Sequence, residues 1–288
     1  MEAQTLFVAL YVRQANFNVK NAGGPQDNIH LRNGGDKMKS LIITVGEALT
    51  LGKWLGTLRG AGAYNGDILI LDYDGLPQDV LDYINSVPNI YLLKVERILS
   101  DSVIMDRHLT IHNALATNKE LYDVAMACDC DMIFCKPVQP LLDEATDSIV
   151  YTEENHRVEH WTLNCITAND LKNVDCPSWY GEVWDKMLKK PAINGGLYLG
   201  PVDLMIQLES FMVNNVIYGL SDQLWLNTAL YGALDIPAKP SSSYMWNYDS
   251  KNGYKRVGNK VYDYTGKHEI NIIHFMGKHA KYKQAEWT

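Results

Sequence analysis

"VAMACDCDMIFCKP", Val124 to Pro137, sets three cysteines and two aspartates into one short span. Cys128, Cys130 and Cys135 invite a thiolate metal site, whereas Asp129 and Asp131 invite a carboxylate one. The stretch begins inside "YDVAMACDCD", Tyr122 to Asp131, whose apolar run reads as a buried strand. If that strand stays extended, its side chains alternate, so Cys128 and Cys130 share one face and Asp129 and Asp131 the other. Helices cover both faces of a parallel sheet, and cysteines suit such an interior. Aspartates do not, so they must sit where the strand leaves the sheet. Ligand sites of open α/β sheets lie there, outside the carboxyl ends of the strands. Two aspartates on one side offer oxygen ligands to a hard cation, Mn²⁺ or Mg²⁺. Structural zinc wants four ligands in short paired spacings, and the three cysteines have no second pair and no clear histidine nearby. A solvated strand end is the alternative the residues themselves leave open.

The sequence before this stretch supports the strand reading. "SLIITVG" (Ser40 to Gly46) is a continuous β-branched run. "ALTLGKWLGTLRGAG" follows, with Leu51, Trp54, Leu55 and Leu58 on one helical face and Gly60 and Gly62 closing it. "GDILILDYDG" is a second strand ending in carboxylates. "PQDVLDYINSV" is a helix with Pro77 at its start, and "NIYLLKV" a third strand. "SDSVIMDRHLTIHNALATNKEL" is a longer helix capped by Ser100 or Asp101. Strands alternating with helices predict a mostly parallel sheet. The second half is less regular. "SIVYTEE" reads as a strand, "SWYGEVWDKMLKK" as a helix, and "INGGLYLGP" as a strand with a glycine break. "VDLMIQLESFMVNNV" and "SDQLWLNTALYGA" are helices, and "INIIHFMG" is a last strand. "NAGGPQDNIHLRNGGD" (Asn21 to Asp36) is a loop, so residues 1–37 are an extension and 38–288 one domain.

Composition limits the function. At 288 residues with 47% hydrophobic content the chain can bury a sizeable core. A formal charge of -8 argues against nonspecific nucleic-acid binding. No apolar run approaches the roughly 20 residues of a bilayer span. "TLFVALYV" (Thr5 to Val12) is short and has no basic segment before it, as a signal peptide would. Five irregularly spaced cysteines are not a disulfide framework and point to reduced thiols in a soluble, cytoplasmic protein.

Five segments, in order, resemble the nucleotide-sugar glycosyltransferases of the GT-A fold, closest to the glycogenin-like family 8 enzymes and related nucleotide-diphospho-sugar transferases. They are "TVGEALTLGKWLGTL", "DRHLTIHNALATNKELYDVAMACDCDMIFCKP", "INGGLYLGPVDLM", "SDQLWLNTALY" and "IIHFMGKHAKY", within residues 40–280. The resemblance implies a GT-A (Rossmann-like) α/β fold, a mostly parallel mixed sheet flanked by helices in a single domain. It implies transfer of a sugar from a nucleotide-diphosphate donor, with uridine as the expected nucleoside, to a glycan or glycoprotein hydroxyl. By the same resemblance Asp129, Asp131 and His274 hold Mn²⁺ (or Mg²⁺). Thr44, Val45 and Gly46 meet the nucleoside, and Arg107 meets the nucleotide or its phosphates. Asn194, Gly195 and Gly196 lie beside the donor sugar. Gly277, Lys278 and Lys281 lie by the diphosphate; the family's lysine falls at position 280, here Ala280, which those two lysines flank. Asp222 and Gln223 are the catalytic candidates, Asp222 as a general base if the enzyme inverts, either facing the sugar if it retains. Asp222 is also placed to cap its helix. Asp72 and Asp74 end the second strand near the expected base and ribose. Trp246 and Tyr248, with Trp161, Trp179, Tyr180 and Trp184, are candidates to stack on acceptor rings.

Three other readings compete. "GAGAYNG" (Gly60 to Gly66) has the wrong spacing for a dinucleotide fingerprint and follows a helix rather than a strand. A nucleotidyltransferase would carry a glycine-rich basic loop after the first strand, where "GEALTLGKW" has only Lys53. A noncatalytic binder of sugar nucleotide or glycan draws on the unusual sequence after His274.

Overall fold

A computed structural model describes residues 38–97, 103–158, 183, 186–187, 189–216, 222–248, 253–276, 283–284 and 287. In chain order the strands are β1 (Ser40–Val45), β2 (Asp67–Asp72), β3 (Ile90–Lys94), β4 (Val124–Cys128), β5 (Met132–Phe134), β6 (Ile149–Arg157), β7 (Pro191–Pro201), β8 (Ala238–Pro240), β9 (Met245–Tyr248), β10 (Tyr254–Val257), β11 (Lys260–Asp263) and β12 (Ile272–Phe275). The helices are α1 (Leu51–Arg59), α2 (Gln78–Ser86), α3 (Val103–Asn118), α4 (Gln139–Asp143), α5 (Val202–Val216) and α6 (Asp222–Thr228). Caps at Ser100 or Asp101, residues 1–37 and most of the helix expected over 178–190 lie outside the described residues.

The fold is α/β. A seven-stranded sheet runs in the order β3-β2-β1-β4-β7-β6-β8. The β3-β2-β1-β4 half is parallel throughout, β7 runs antiparallel to both its neighbours, and β8 is parallel to β6. The sheet is thus mixed and mostly parallel, as the alternating elements predict.

The continuous apolar strands follow from burial on both faces. Ile42, Ile68, Ile70 and Met126 pack with Leu51, Trp54, Leu55 and Leu58 of α1. Leu41, Ile43, Leu69, Ala125 and Ala127 face the other way, against Ile111 and Leu115 of α3 and Met205, Leu208 and Met212 of α5. The helical face read for α1 is therefore its buried face. Each such side chain contributes about 1.5–3 kcal/mol on burial. That outweighs the roughly 1 kcal/mol each that Gly52 and Gly56 cost inside the helix. Gly62 closes the helix by close approach: a Cβ there would lie 2.5 Å from the carbonyl oxygen of Leu58.

The strand expected to run from Tyr122 to Asp131 is shorter. β4 ends at Cys128, and the chain then changes sheets. The amide of Asp129 still donates to Gly196 O at 2.8 Å, on β7. Two residues later the carbonyl of Asp131 accepts from Phe275 N at 2.8 Å, on β12, and β5 continues in a three-stranded sheet ordered β5-β12-β9. Asp129 to Asp131 are the hand-over between two ladders. Cys128 and Cys130 nevertheless share the core expected of them. The glycine break expected in "INGGLYLGP" is absent: β7 is continuous, and the register shifts lie in its pairing with β6. No helix among the described residues is long and apolar enough to cross a membrane.

A Cβ added at Gly52 or Gly56 meets no atom within 4 Å. Gly56→Ala is therefore expected to raise unfolding free energy by about 0.5–1 kcal/mol. Leu55→Ala, at a fully buried position, is expected to lower it by about 2–5 kcal/mol. Urea titration of both variants checks the pair.

Candidate metal centre and the charged network behind it

Three side chains from distant parts of the chain meet at the carboxyl end of β4. Asp129 and Asp131 come from the hand-over after that strand, and His274 from β12. Its Nε2 lies 3.6 Å from Asp129 Oδ2 and 3.1 Å from Asp131 Oδ1. One ligand atom from each residue falls within 4.8 Å of the others. Ligands about 2.1 Å from one ion lie up to about 4.2 Å apart, so a small inward shift closes the set. The other imidazole nitrogen, Nδ1, is 3.3 Å from Asn247 Oδ1, an outer contact of the kind that fixes a ligating ring.

The donor set is two carboxylates and one imidazole, which fits a divalent ion of borderline or hard character. Gly196 makes the cradle. A Cβ on it would stand 2.6 Å from His274 Cε1 and 2.9 Å from Asp129 Oδ2, so a side chain there would occupy the space beside the ligands. Burial acts to lower the His274 pKa, but the carboxylates of Asp131 and Asp129 outweigh it and lift it to about 10. Burial acts to raise that of Asp129, but Arg107 and His274 hold it at about 2.

Behind the ligands lies a buried charged network. Arg107, on α3, pairs with Asp129, donates to Asp222 Oδ2 at 2.8 Å and donates to Gly195 O at 3.0 Å. Its guanidinium is thus committed to the protein, where the expectation was a nucleotide or phosphate contact. Asp222 opens α6, and its Oδ1 accepts from Gln223 N at 2.7 Å. Burial disfavours its charge, yet Arg107 and His108 keep its pKa below the usual carboxylate value. His108 Nδ1 is 2.7 Å from Glu209 Oε2, and Tyr198 OH donates to Glu209 Oε1 at 2.5 Å. Among these ion-paired groups, four carboxylates (Asp129, Asp131, Asp222, Glu209) meet three basic side chains (Arg107, His108, His274). A divalent ion in place of the shared His274 proton would bring the charges level.

A second polar cluster borders the same opening. Glu154 Oε1 accepts from Asn194 Nδ2 and from Gln223 Nε2, each at 2.9 Å. Gln223 Oε1 accepts from Gly195 N at 3.3 Å, and Asn194 Oδ1 from Gly196 N at 2.8 Å. Asn194, Gly195, Gly196, Asp222 and Gln223 are therefore brought together. Thr44 and Val45 end β1, beside β4. With Arg107, Gly195 and Tyr198 they line a cavity of about 10 Å³, roughly one water. Thr44 is buried, while Val45 and Gly46 are partly exposed.

The remaining candidates are of two kinds. Gly277, Lys278 and Lys281 lie outside the described residues, as do Trp161, Trp179, Tyr180 and Trp184. Asp72 is buried and accepts from Gly75 N and Leu76 N, shaping a turn, while Asp74 pairs with Arg97 at the surface. Trp246 is a core residue, 4% exposed, with its ring against Tyr244 and Tyr264.

His108, Glu209, Glu154 and Asn247 were not singled out from sequence. Glu209 carried a signal, because it falls on the stripe of Met205, Leu208 and Met212, where a carboxylate must find a partner. His108 likewise shares the buried face of Ile111 and Leu115. No protein-family model matches the chain, and no curated protein matches it either.

Gly196→Ala is expected to weaken Mn²⁺ binding at least about tenfold, on the scale of losing an outer contact. Calorimetric titration of wild type and variant measures it. His108 gives a pH prediction. Burial lowers its pKa, but Glu209 and Asp222 raise it above the ordinary value. Its stabilising contribution is complete below about pH 6.5 and is lost as pH rises through the folded-state pKa. The stability gap between wild type and His108→Gln is thus widest below that pH and narrows above it, as read by urea denaturation across a pH series.

Proposed function

We propose that the protein is a divalent-metal-dependent glycosyltransferase acting on a nucleotide-diphosphate sugar, with a uridine donor and a glycan or glycoprotein hydroxyl as acceptor. The observation that carries the reading is the convergence of Asp129, Asp131 and His274 outside the carboxyl end of a parallel strand. The five spaced segments and their order supply the reaction class. Asp129, Asp131 and His274 would hold the ion. When bound, it supplies positive charge to the departing diphosphate.

The chain's own groups divide the remaining tasks. Arg107 acts as a positioning residue, since its guanidinium already spans Asp129, Asp222 and Gly195 O. Asp222 is a poor general base, because both oxygens are engaged and its pKa is lowered. Its work is electrostatic, holding negative charge beside the donor sugar. Gln223 and Asn194, both tied to Glu154, offer amide groups to sugar hydroxyls. The glycines at 195 and 196 let the substrate approach the backbone. Residues 277–281 remain the expected diphosphate contact.

A panel of nucleotide sugars with Mn²⁺, scored by released nucleotide, tests the reading. Turnover is expected with one uridine-diphosphate sugar, and Asp131→Asn is expected to reduce it at least about 100-fold. Undiminished turnover in chelator, or in that variant, would sink it.

A further inference from the structure

Asp131 is held in place by a residue that offers nothing to a ligand. Gln284 is fully buried, and its Nε2 donates to Cys130 O at 2.9 Å and to Met132 O at 3.0 Å. Those are the carbonyls on either side of Asp131. The amide orientation follows from chemistry, because the reverse would set an acceptor oxygen against two others. Gln284 Oε1 has no hydrogen-bond partner. A buried acceptor without a partner is destabilising. For packing alone a leucine or methionine would serve this position better, so the two donations explain the glutamine.

Other anchors hold the same turn. Thr50 Oγ1 lies 3.1 Å from Cys130 Sγ, Gly196 O accepts from Asp129 N, and Phe275 N donates to Asp131 O. Each grips one point, whereas Gln284 spans Asp131. Three residues further on, Trp287 packs its ring against Phe275, next to His274, with the Arg256 guanidinium 4.1 Å from its centre. Gln284 and Trp287 therefore touch both ligand-bearing pieces, the Asp131 turn and the end of β12.

We propose that Gln284 is a positioning residue of the metal centre: by holding the carbonyls on both sides of Asp131 it keeps that carboxylate in register with His274, so that docking of Gln284 and Trp287 and occupation of the site favour each other. The proposal rests on the metal reading of Asp129, Asp131 and His274, but not on glycosyl transfer. Such coupling is reciprocal: what weakens the docked segment weakens metal binding, and bound metal protects the segment.

The test uses Mn²⁺ alone with the full chain. Calorimetry compares wild type, Gln284→Leu, Gln284→Glu and Leu93→Ala, the last a core truncation on β3 at the edge of the seven-stranded sheet, away from the cluster around Trp287. Both Gln284 variants are expected to bind Mn²⁺ about tenfold more weakly, with Leu93→Ala at the wild-type value. In wild type, Mn²⁺ is expected to slow hydrogen exchange of the amides of Gln284 and Trp287 and of Cys130 to Met132 about tenfold; this readout needs no variant to fold. Wild-type affinity in Gln284→Leu, equal weakening in Leu93→Ala, or unchanged exchange at Gln284 and Trp287 would overturn the proposal and leave the metal centre standing. A wild-type chain that binds no Mn²⁺ would overturn both.

Discussion

The buried guanidinium of Arg107 is the contact on which the site depends. It sits on a helix under the sheet and binds Asp129 after β4, the Gly195 carbonyl on β7 and Asp222 at the start of α6. Removing such a charge from water is expensive, and the removal is tolerated only with good partners for its terminal nitrogens. Two carboxylates and a carbonyl supply them. In return α6 is fixed to the end of β4 and to β7, which are themselves joined by the Asp129 N to Gly196 O hydrogen bond. The neighbouring His108 repeats the device one layer deeper with Glu209 and Tyr198.

The ligand turn is under a different constraint. Its backbone groups must be satisfied while the chain passes from one sheet to another. Asp129 N uses the first sheet, Asp131 O the second, and the carbonyls of Cys130 and Met132 use a side chain, Gln284. Neither ladder could serve the whole turn, so the carboxylates project where the sheets part. The candidate metal site lies in this gap: two acidic side chains meet His274 there without breaking a core, Asp129 partly exposed and Asp131 buried.

Much of this is legible in the sequence. Continuous apolar runs in β1, β2 and β4 required cover on both faces, and alternation put Cys128 and Cys130 into the core. The order of motifs brought His274 to Asp129 and Asp131. The sheet change was not legible, because "CDCDMIF" alternates as well across two short strands as along one, and the break is decided by which neighbours β4 and β5 find. Arg107 was hard for a related reason. Local sequence shows an arginine on a helix, but its partners lie 22 and 115 residues away. Composition offers Trp246 and Tyr248 only as candidates to stack on sugar rings; the apolar partners that bury Trp246, such as Ile273 and Phe275, come from a different strand.

The two-sheet arrangement also bears on how the chain reaches its native state. The contacts that complete the metal centre are among the longest in sequence: Gln284 and Cys130 are separated by 154 residues. Closing such loops is an entropic cost that local helices and adjacent parallel strands do not bear to the same degree. On the ribosome, β1 through β4 emerge long before β12, so the two aspartates must wait, side by side and without their histidine, until β12 has been made. Arg107 emerges before them and can neutralise Asp129 during that interval. The ion pair that orders the finished site is thus also one that can close early, across only 22 residues.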